Sequence, residues 1–263
     1  FLISEGQASV GREGIKPWVG AITPQETTEH MQTAFSMPSV DDYDAVDVTY
    51  TSGTTWAEET VQCRLAGNPT PRKVESITLD GVLDEDRAYR IGMRRLMKHV
   101  GQRETYALST EMDALCYNFG DRLVLTDDIP GSNTISCLVV SMLRKGGTVT
   151  LEVNEPLDWT FSNPRCLIRF QDGLASGLIM PSRVDDYTLT IPYSTALRLD
   201  EWEMDNPSIE PPRLVFCSSE RAGYDALVSA IEPSSDGTCS VSALQYSPKF
   251  YQYDDATYPG NTV

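Results

Sequence analysis

Long apolar runs are missing from this chain of 263 residues. The longest, such as Leu138–Val140 and Leu214–Cys217, fall far short of the ~20 apolar residues that a membrane-spanning helix needs. The chain also has no charged start followed by an apolar core, so no signal peptide is visible. We therefore expect no membrane span.

Histidine is scarce, with only His30 and His99 in the chain. Nothing near His30 in the sequence would pair with it as a nucleophile, and the G-x-S-x-G motif of serine hydrolases is absent. His99 falls in the last turn of a predicted helix, where the helix dipole favours a cation. We assign no catalytic residue and expect no cofactor.

Cysteine pairs at metal-binding or redox spacing are also missing. None of the six cysteines forms C-x-x-C, and none lies at metal-finger spacing beside a histidine. Their scatter favours buried, reduced thiols in a protein made in the cytosol, although spacing alone leaves disulfides open. They are Cys63, Cys116, Cys137, Cys166, Cys217 and Cys239.

Positive charge is in short supply. The 21 basic side chains against 38 acidic ones give a formal net charge of −17. Such a surface repels nucleic acid phosphates, so we expect no nucleic acid partner. Four acidic doublets could hold Ca²⁺ in loops, but none fits the calcium-loop pattern and acidic turns are common, so we expect no metal site. They are Asp41-Asp42, Asp127-Asp128, Asp185-Asp186 and Asp254-Asp255.

What the chain does contain is a series of short strand patterns. Ala45–Thr51 alternates apolar and polar residues, and Trp56–Leu65 after the Ser52-Gly53 turn is predicted to return as a hairpin. From Asp121 onward, Gly, Pro, Asn and Asp separate further strands, a pattern typical of a barrel or sandwich. The strands predicted there are Arg122–Thr126, Ile135–Arg144, Thr148–Val153, Arg165–Phe170, Leu174–Met180, Thr188–Ile191, Arg213–Cys217, Leu227–Glu232 and Cys239–Tyr246.

One strong helix is predicted, over about residues 84–100. Asp84 is a plausible N-cap, acidic residues occupy the first turn, and Gly101 is placed to end the helix. The residues expected to share its buried face are Tyr89, Met93, Leu96, Met97 and Val100. The sequence therefore predicts an α+β fold that is mainly antiparallel β, with one main helix.

These patterns predict that the chain divides into three parts. Residues 1–120 form a mixed α/β domain, residues 121–250 a β-barrel domain, and residues 251–263 a polar linker to a further domain. The chain begins with Phe1, and Phe1–Ile3 reads like the middle of a strand. We therefore expect the chain to be an internal piece of a longer protein, truncated at the N-terminal side of its first domain.

Three segments, taken together, resemble the tail-tip attachment (host-specificity, J-type) proteins of tailed bacteriophages and related tail-hub proteins. ESITLDGVLDEDRAYRIGMRRL at Glu75–Leu96 is similar to their strand, turn and arginine-rich helix. TYALSTEMDAL at Thr105–Leu115, followed by FGDRLVLTDD at Phe119–Asp128, resembles the entry into their barrel. Val228–Tyr251, with the spacing A-x-x-Y-x-P-x-x-Y, resembles their barrel-closing hairpin. Leu199–Pro212 departs from the family as an inserted or diverged loop.

The resemblance implies a structural part of a phage or prophage tail-tip or baseplate hub, located in the virion tail after assembly in the host cytoplasm. In the full-length protein it implies a homotrimer that contacts other tail-tip proteins and links the tail tube to the host-recognition region. Receptor contact in such proteins belongs to parts outside this chain. The hub domains expected from the family are the mixed domain and the β-barrel named above.

The predicted helix is the one locally basic element of this acidic chain. A solvated helix face is one interpretation. The sharper one is a subunit interface, in which Arg87, Arg90, Arg94 and Arg95 contact an acidic surface of a neighbouring subunit.

Two other classes of function remain open from the sequence. A tail-associated glycan or peptidoglycan hydrolase would show a cleft with two carboxylates at reaction distance, one with a raised pKa. A carbohydrate-binding β module would show exposed aromatic platforms, although buried tryptophans are common in cores. The candidates for such a platform are Trp18, Trp56, Trp159 and Trp202.

Overall fold

The computed structural model of the chain describes residues 13–126, 134–218 and 223–260, and the backbone of strands at 2–4 and 7–9. Antiparallel strands dominate, and one long α-helix accompanies them. The predicted fold class, α+β and mainly antiparallel β with one main helix, is confirmed.

The strands and helices follow each other in an order close to the predicted one. The α-helix α1 spans Glu85–Gly101, and short 3-10 helices lie at Pro24–Glu26, Met112–Cys116, Thr195–Leu197, Leu199–Glu201 and Pro248–Tyr251. The strands are β1 (Leu2–Ser4), β2 (Gln7–Ser9), β3 (Gly20–Ile22), β4 (Gln32–Phe35), β5 (Ala45–Thr51), β6 (Glu58–Cys63), β7 (Val74–Leu79), β8 (Glu104–Glu111), β9 (Arg122–Leu125), β10 (Thr134–Lys145), β11 (Thr148–Val153), β12 (Pro164–Arg169), β13 (Ser182–Arg183), β14 (Thr188–Pro192), β15 (Arg213–Ser218), β16 (Tyr224–Pro233) and β17 (Thr238–Gln245).

Contacts along the chain divide it into two compact units. Unit 1 comprises Phe1–Ile15, Ala34–Glu104 and Gln245–Val263, and unit 2 comprises Lys16–Thr33 and Thr105–Leu244. These units cut across the predicted ranges 1–120, 121–250 and 251–263. The difference arises because β3 and β8 pair with strands that lie far along the chain, whereas the C-terminal segment packs on α1.

Unit 1 is built on a three-stranded sheet in the order β6-β5-β7. The predicted hairpin is present: β5 and β6 are antiparallel, with Val46 opposite Cys63 and Thr51 opposite Glu58. β7 runs parallel to β5 on its other side. Alternate side chains of β5, among them Val46, Val48 and Tyr50, are buried beneath α1. The period-two pattern of the sequence therefore places this sheet's apolar face against the helix.

Helix α1 begins and ends almost where the sequence predicts. Asp84 is the N-cap, and its Oδ1 accepts a hydrogen bond of 2.8 Å from the Arg87 backbone N–H. Tyr89, Met93 and Leu96 are buried as predicted, and Met97 is half-buried. Val100 is 42% exposed, because the helix reaches its last turn there and no longer faces the sheet.

Two glycines allow α1 to approach its neighbours closely. A Cβ at Gly92 would lie 2.5 Å from both Cys63 Sγ and Val48 Cγ2, so the helix could not rest on β5 and β6 with a larger residue there. A Cβ at Gly101 would lie 2.8 Å from the Phe250 ring. Gly101 therefore serves close packing at the helix end.

The segment predicted as a linker packs on α1 in the structure. Tyr253, Ala256 and Tyr258 are partly buried against the core of unit 1, and the Tyr258 N–H donates to Asp86 Oδ1 at 2.7 Å. The Tyr89 and Tyr258 ring centres lie 5.4 Å apart. Polar composition suggested a linker, but the aromatic rings within it provide apolar area that is buried on the helix.

Unit 2 holds one six-stranded sheet and nearly all residues of a second. One has the order β12-β15-β10-β11-β14-β13 and is antiparallel. Its strands from both ends enclose a single apolar core that includes Leu151, Ile168, Leu189 and Phe216, so the sheet curves into a half-barrel. The other has the order β3-β9-β16-β17-β8-β4, with β3 parallel to β9. Ala21 and Val124 of this sheet pack against Leu167 and Val215 of the first.

Two sequence predictions within unit 2 differ from the structure. Leu174–Met180 was expected to be a strand, but its residues make only isolated bridges, such as Ala175 to Arg169 and Ile179 to Cys166. The short strand β3 was not predicted. The sequence shows only short strand signals in this turn-rich region, and the parallel pairing of β3 with β9 joins residues distant in sequence, so local patterns do not fix its position.

Candidate functional site

The arginine side chains of α1 differ in their contacts and fall into three groups. Arg95 makes a bidentate ion pair with Glu75 on β7, with Nε 2.6 Å from Oε2 and Nη2 2.7 Å from Oε1. His99 Nε2 lies 2.7 Å from the same Oε2. His99 therefore lies in the last turn of the helix, as predicted, and also contacts the carboxylate of Glu75.

Arg90 and Arg94 hold the C-terminal segment. Arg90 Nε donates to the Ala256 carbonyl at 2.7 Å. Arg94 pairs with both carboxylate oxygens of Asp254, at 3.1 Å from Nε and 2.8 Å from Nη2, and its guanidinium lies 5.4 Å from the centre of the Tyr251 ring. These two arginines therefore have intramolecular partners. No local sequence pattern indicates them, because Asp254 and Ala256 lie 160 or more residues away.

Arg87 differs from the other three predicted interface residues. Its side chain is exposed, and within the described parts of the chain it makes no hydrogen bond or ion pair. Arg95, although paired with Glu75, keeps half of its side chain exposed. Of the four arginines predicted to form a subunit interface, the structure thus leaves Arg87 with a fully available charge.

The ion pairs of Glu75 predict a pH dependence for the stability of unit 1. Hydrogen bonds from Arg95 and His99 lower the pKa of Glu75 from its ordinary value of 4.5 to about 2. A carboxyl group whose pKa is lower in the folded state stabilises the fold above its ordinary pKa, and this contribution is lost as the pH falls through the folded value.

We expect the free energy of unfolding of the wild-type chain to fall between about pH 4.5 and about 2 more steeply than that of Glu75→Gln. Urea denaturation at a series of pH values measures it. Glu58→Gln is the matched control, since Glu58 lies exposed on β6, and it should keep the wild-type slope. Equal slopes for wild type and Glu75→Gln would show that the Glu75 ion pairs do not contribute to stability.

A second site of interest is a cavity of about 650 Å³ in unit 2. Five carboxylates line it against one guanidinium, that of Arg169. Apolar and thiol groups of Met112 and Cys116 complete one side. The carboxylates are those of Glu26, Glu111, Asp113, Asp172 and Glu210.

At the bottom of this cavity lies a buried ion network centred on Glu26. The Glu26 side chain is only 6% exposed, and its Oε1 lies 2.8 Å from Arg213 Nε and 3.7 Å from Arg169 Nη1. The Arg213 contact is an ion pair at close range, without the N–H alignment of a hydrogen bond. The other oxygen, Oε2, accepts from the Thr23 backbone N–H at 2.6 Å. Arg169 also donates to Asp113 Oδ2 at 2.6 Å.

Most carboxylates of the cavity are held in ion pairs. Asp113 binds Arg169, Asp172 binds Arg198 at 2.7 Å, and Glu210 pairs with Arg213. Glu111 is exposed and, in the described part of the chain, its carboxylate makes no hydrogen bond or ion pair. The network missed by the sequence analysis joins residues 26, 169 and 213, and no local motif signals such a set.

Among the residues that the structure describes, the carboxyl groups with a shifted pKa all shift in one direction. In each of them, hydrogen bonds to the carboxylate are the main cause and lower the pKa. A glycosidase acid needs the opposite shift. The groups are Asp42, Asp44, Glu59, Glu75, Asp158, Asp185 and Asp236.

The four tryptophans have different surroundings. Trp18 donates to Asp225 at 3.0 Å, Trp202 donates to the Leu197 carbonyl at 2.9 Å, and Trp159 packs on Phe216 with ring centres 4.9 Å apart. Trp56, in contrast, is 74% exposed. Of the four tryptophans, only Trp56 presents a largely exposed ring.

The acidic doublets take part in ordinary loop contacts. Asp42 binds Arg103 at 2.7 Å, Asp254 binds Arg94, and Asp186 binds Arg183 at 2.7 Å. The described residues contain no group of three or more metal-ligating side chains. Asp127-Asp128 lies outside the described residues. Among the described helices, none has the length and apolarity to cross a membrane.

All six cysteines are free thiols in the structure, five of them buried and Cys116 exposed. Burial raises the pKa of Cys63 and Cys137 to about 12, which suppresses the reactive thiolate. Burial also raises the pKa of Cys116, so its reactivity rests on its exposure alone. We expect a thiol reagent to find six groups under denaturing, non-reducing conditions and, in the native protein, one accessible group that reacts ahead of the five buried ones. Cys116→Ser should remove this first reaction. Two or fewer thiols in the denatured chain would show that disulfides form.

Comparison with known proteins places part of the chain beside a family of tail proteins. Residues 30–136 match the sequence model of the family described as "Putative phage tail protein". That span contains β5 to β7 and α1. No match was found among curated proteins. Among solved structures, a chain of the "Virion of native gene transfer agent (GTA) particle" is similar at 10% sequence identity with a TM-score of 0.46; the similarity covers 89% of this chain and 33% of that one. This chain therefore spans about a third of the length of that protein.

The family match supports the general part of the resemblance, namely that the chain is similar to structural phage tail proteins located in the virion tail. The finer features, namely the J type, the hub and the trimer, are proposals.

Proposed function

We propose that this chain is a structural component of the tail-tip or baseplate hub of a phage or prophage, and that it links the tail tube to the host-recognition region. The observation that carries the proposal is the family match at residues 30–136. It overlaps two of the three segments that together resemble the J-type proteins, the first at Glu75–Leu96 and the second beginning at Thr105–Leu115. The homotrimer and the contacts with other tail-tip proteins belong to the same proposal.

Internal contacts of helix α1 in unit 1 agree with a structural role. Helix α1 is tied to β7 through Arg95 and to the C-terminal segment through Arg90 and Arg94. These cross-links join parts of the chain that are distant in sequence around one apolar core. We infer that a unit held together in this way serves as a structural part that works through contacts with other proteins.

The test is the position of the chain in assembled particles. Antibody labelling of purified tails, viewed by electron microscopy, should mark one end of the tail. Labelling along the whole tube, or absence of the chain from purified tails, would contradict the proposal. A tail preparation from a phage lacking the coding sequence is the matched control, and it should show incomplete or untipped tails.

We also propose that the chain is not an enzyme. Supporting this, four of the five carboxylates in the acidic cavity take part in ion pairs with Arg169, Arg198 or Arg213. The remaining one, Glu111, would have to act without a partner carboxylate free to share the reaction. Incubation of the chain with a peptidoglycan suspension should leave its turbidity unchanged, and clearing of the suspension would overturn this.

A further inference from the structure

Three exposed residues lie near the N-terminal end of α1, namely Trp56, Leu83 and Arg87, and we refer to them together as the patch. Trp56 is 74% exposed and Leu83 is 48% exposed. The Gly53 N–H donates to the Leu83 carbonyl at 2.9 Å, which brings the Ser52–Ala57 turn against Leu83. Arg87 follows one helical turn later with its side chain exposed. Trp and Arg are the residue types that contribute most to the affinity of protein interfaces.

The backbone at Trp56 is strained. Its φ of 56° lies in the left-handed region, which is unfavourable for a bulky side chain. The turn is held by hydrogen bonds from the Trp56 N–H to the Ser52 carbonyl, 2.8 Å, and from the Ser52 N–H to the Ala57 carbonyl, 2.9 Å. A glycine would fit this position without strain. An exposed tryptophan there lowers the stability of the monomer, so its presence points to a contact outside the unit.

The acidic cavity of unit 2 has the complementary character. Its rim carries the exposed Glu111 together with Met112 and, next to it, Leu115, which are 44% and 51% exposed. The cavity thus combines apolar surface with excess negative charge, whereas the patch combines apolar surface with one available positive charge. At about 650 Å³, the cavity also has room for a tryptophan side chain.

We propose that the Trp56–Leu83–Arg87 patch of one copy docks into the acidic cavity of a second copy of this chain, with Arg87 pairing with Glu111 of that copy. The inference rests on the proposed function, in which several copies assemble in one tail. A net charge of −17 makes two copies repel, so a self-contact needs a cation with no internal partner at its centre. The contact joins different surfaces of the two copies, and such heterologous contacts generate rings when the rotation closes.

Charge reversal tests the pairing directly. In sedimentation velocity over a concentration series at low salt, wild-type chain should self-associate, and Arg87→Glu and Glu111→Arg should each weaken the association at least tenfold. Arg72→Glu is the control for charge alone, since Arg72 is an exposed cation of unit 1 whose nearest carboxylate is 3.8 Å away. It should associate as wild type does.

Mixing the two variants tests whether the two surfaces meet each other. An equimolar mixture of Arg87→Glu and Glu111→Arg should associate again. The patch of the Glu111→Arg copies is intact and can dock into the cavity of the Arg87→Glu copies, which is intact as well. The two altered surfaces also carry opposite charges, because the carboxylate introduced at position 87 faces the guanidinium introduced at position 111.

Trp56→Gly separates association from folding. Removing the strained tryptophan should leave the melting temperature equal or higher, while self-association falls at least tenfold. A wild-type chain that stays monomeric at all concentrations, or single variants that associate unchanged, would overturn the proposal. So would a mixture that stays as weak as its components. Binding of a glycan to Trp56 with no self-association would assign the patch to carbohydrate instead and would also overturn it.

The self-association measurements and the antibody labelling of tails test two separate proposals, and either proposal can be wrong while the other holds. A chain found at the tail end whose association ignores Arg87 and Glu111 refutes the docking contact alone. A chain absent from tails that still associates through this pair refutes the proposed function and leaves the contact standing.

Discussion

Replacing Leu96 by alanine is expected to lower the free energy of unfolding of unit 1 by about 2–5 kcal/mol. Leu96 is fully buried in the core formed by α1 and the β6-β5-β7 sheet. The substitution removes apolar contacts and leaves a cavity, and the close approach of the helix at Gly92 gives the backbone little room to collapse into it. Chemical denaturation followed by circular dichroism measures the change.

Val100→Ala is the matched control on the same helix. Val100 was predicted to share the buried face, yet it is 42% exposed in the structure, so its truncation should cost less than about 1 kcal/mol. A loss at Val100 as large as that at Leu96 would mean that the helix turns another face to the sheet.

The second large effect is expected at Glu26, in unit 2. Glu26→Gln keeps the size of the side chain but removes the negative charge that Arg169 and Arg213 share. Both arginine side chains are more than nine-tenths buried, and without Glu26 each keeps only one more exposed carboxylate, Asp113 or Glu210. Breaking a buried ion pair costs up to about 3–5 kcal/mol, so we expect a loss toward the lower end of that range. The measurement is the free energy of unfolding of unit 2, followed through the fluorescence of Trp18, Trp159 and Trp202.

Glu210→Gln provides the comparison, because it removes the same charge from the same network at the surface. The Glu210 side chain is 53% exposed, and exposed ion pairs contribute only about 0–1 kcal/mol. Equal free energies of unfolding for Glu26→Gln and Glu210→Gln would contradict this expectation. They would show that Asp113 and Glu210 are sufficient to balance the charges of the two arginines, and that Glu26 contributes no more to stability than an exposed carboxylate.

Local patterns were sufficient for most of the fold. The hairpin of β5 and β6 followed from alternation, and α1 followed from its cap, its acidic first turn and the spacing of Tyr89, Met93 and Leu96. These features depend on residues that are close to each other along the chain, and they can therefore be predicted from the sequence. The resemblance to phage tail proteins likewise rested on contiguous segments, and the family match supports it at the level of a tail protein.

The candidate site could be predicted only in part. The arginines of α1 stood out as a local excess of charge, but the sequence did not show which of them are engaged. Arg90 and Arg94 bind a segment that its polar composition marked as a linker, and Arg95 binds Glu75 on β7. Arg87 alone among the four keeps its side chain unengaged within the described residues. The sequence predicted a subunit interface that includes all four arginines. We now propose that only Arg87 contacts a second subunit.

By itself the sequence determined the class of fold, the limits of the helix and most strands, and the kind of protein to which the chain is similar, because short-range periodicity and capping govern each of these. Tertiary structure alone decided which charges meet. Glu26, Arg169 and Arg213 come together only when the 3-10 helix at Pro24–Glu26 lies against β12 and β15. The physical reason is that an ion pair depends on the distance between two atoms in space, and distance along the chain carries almost no information about it.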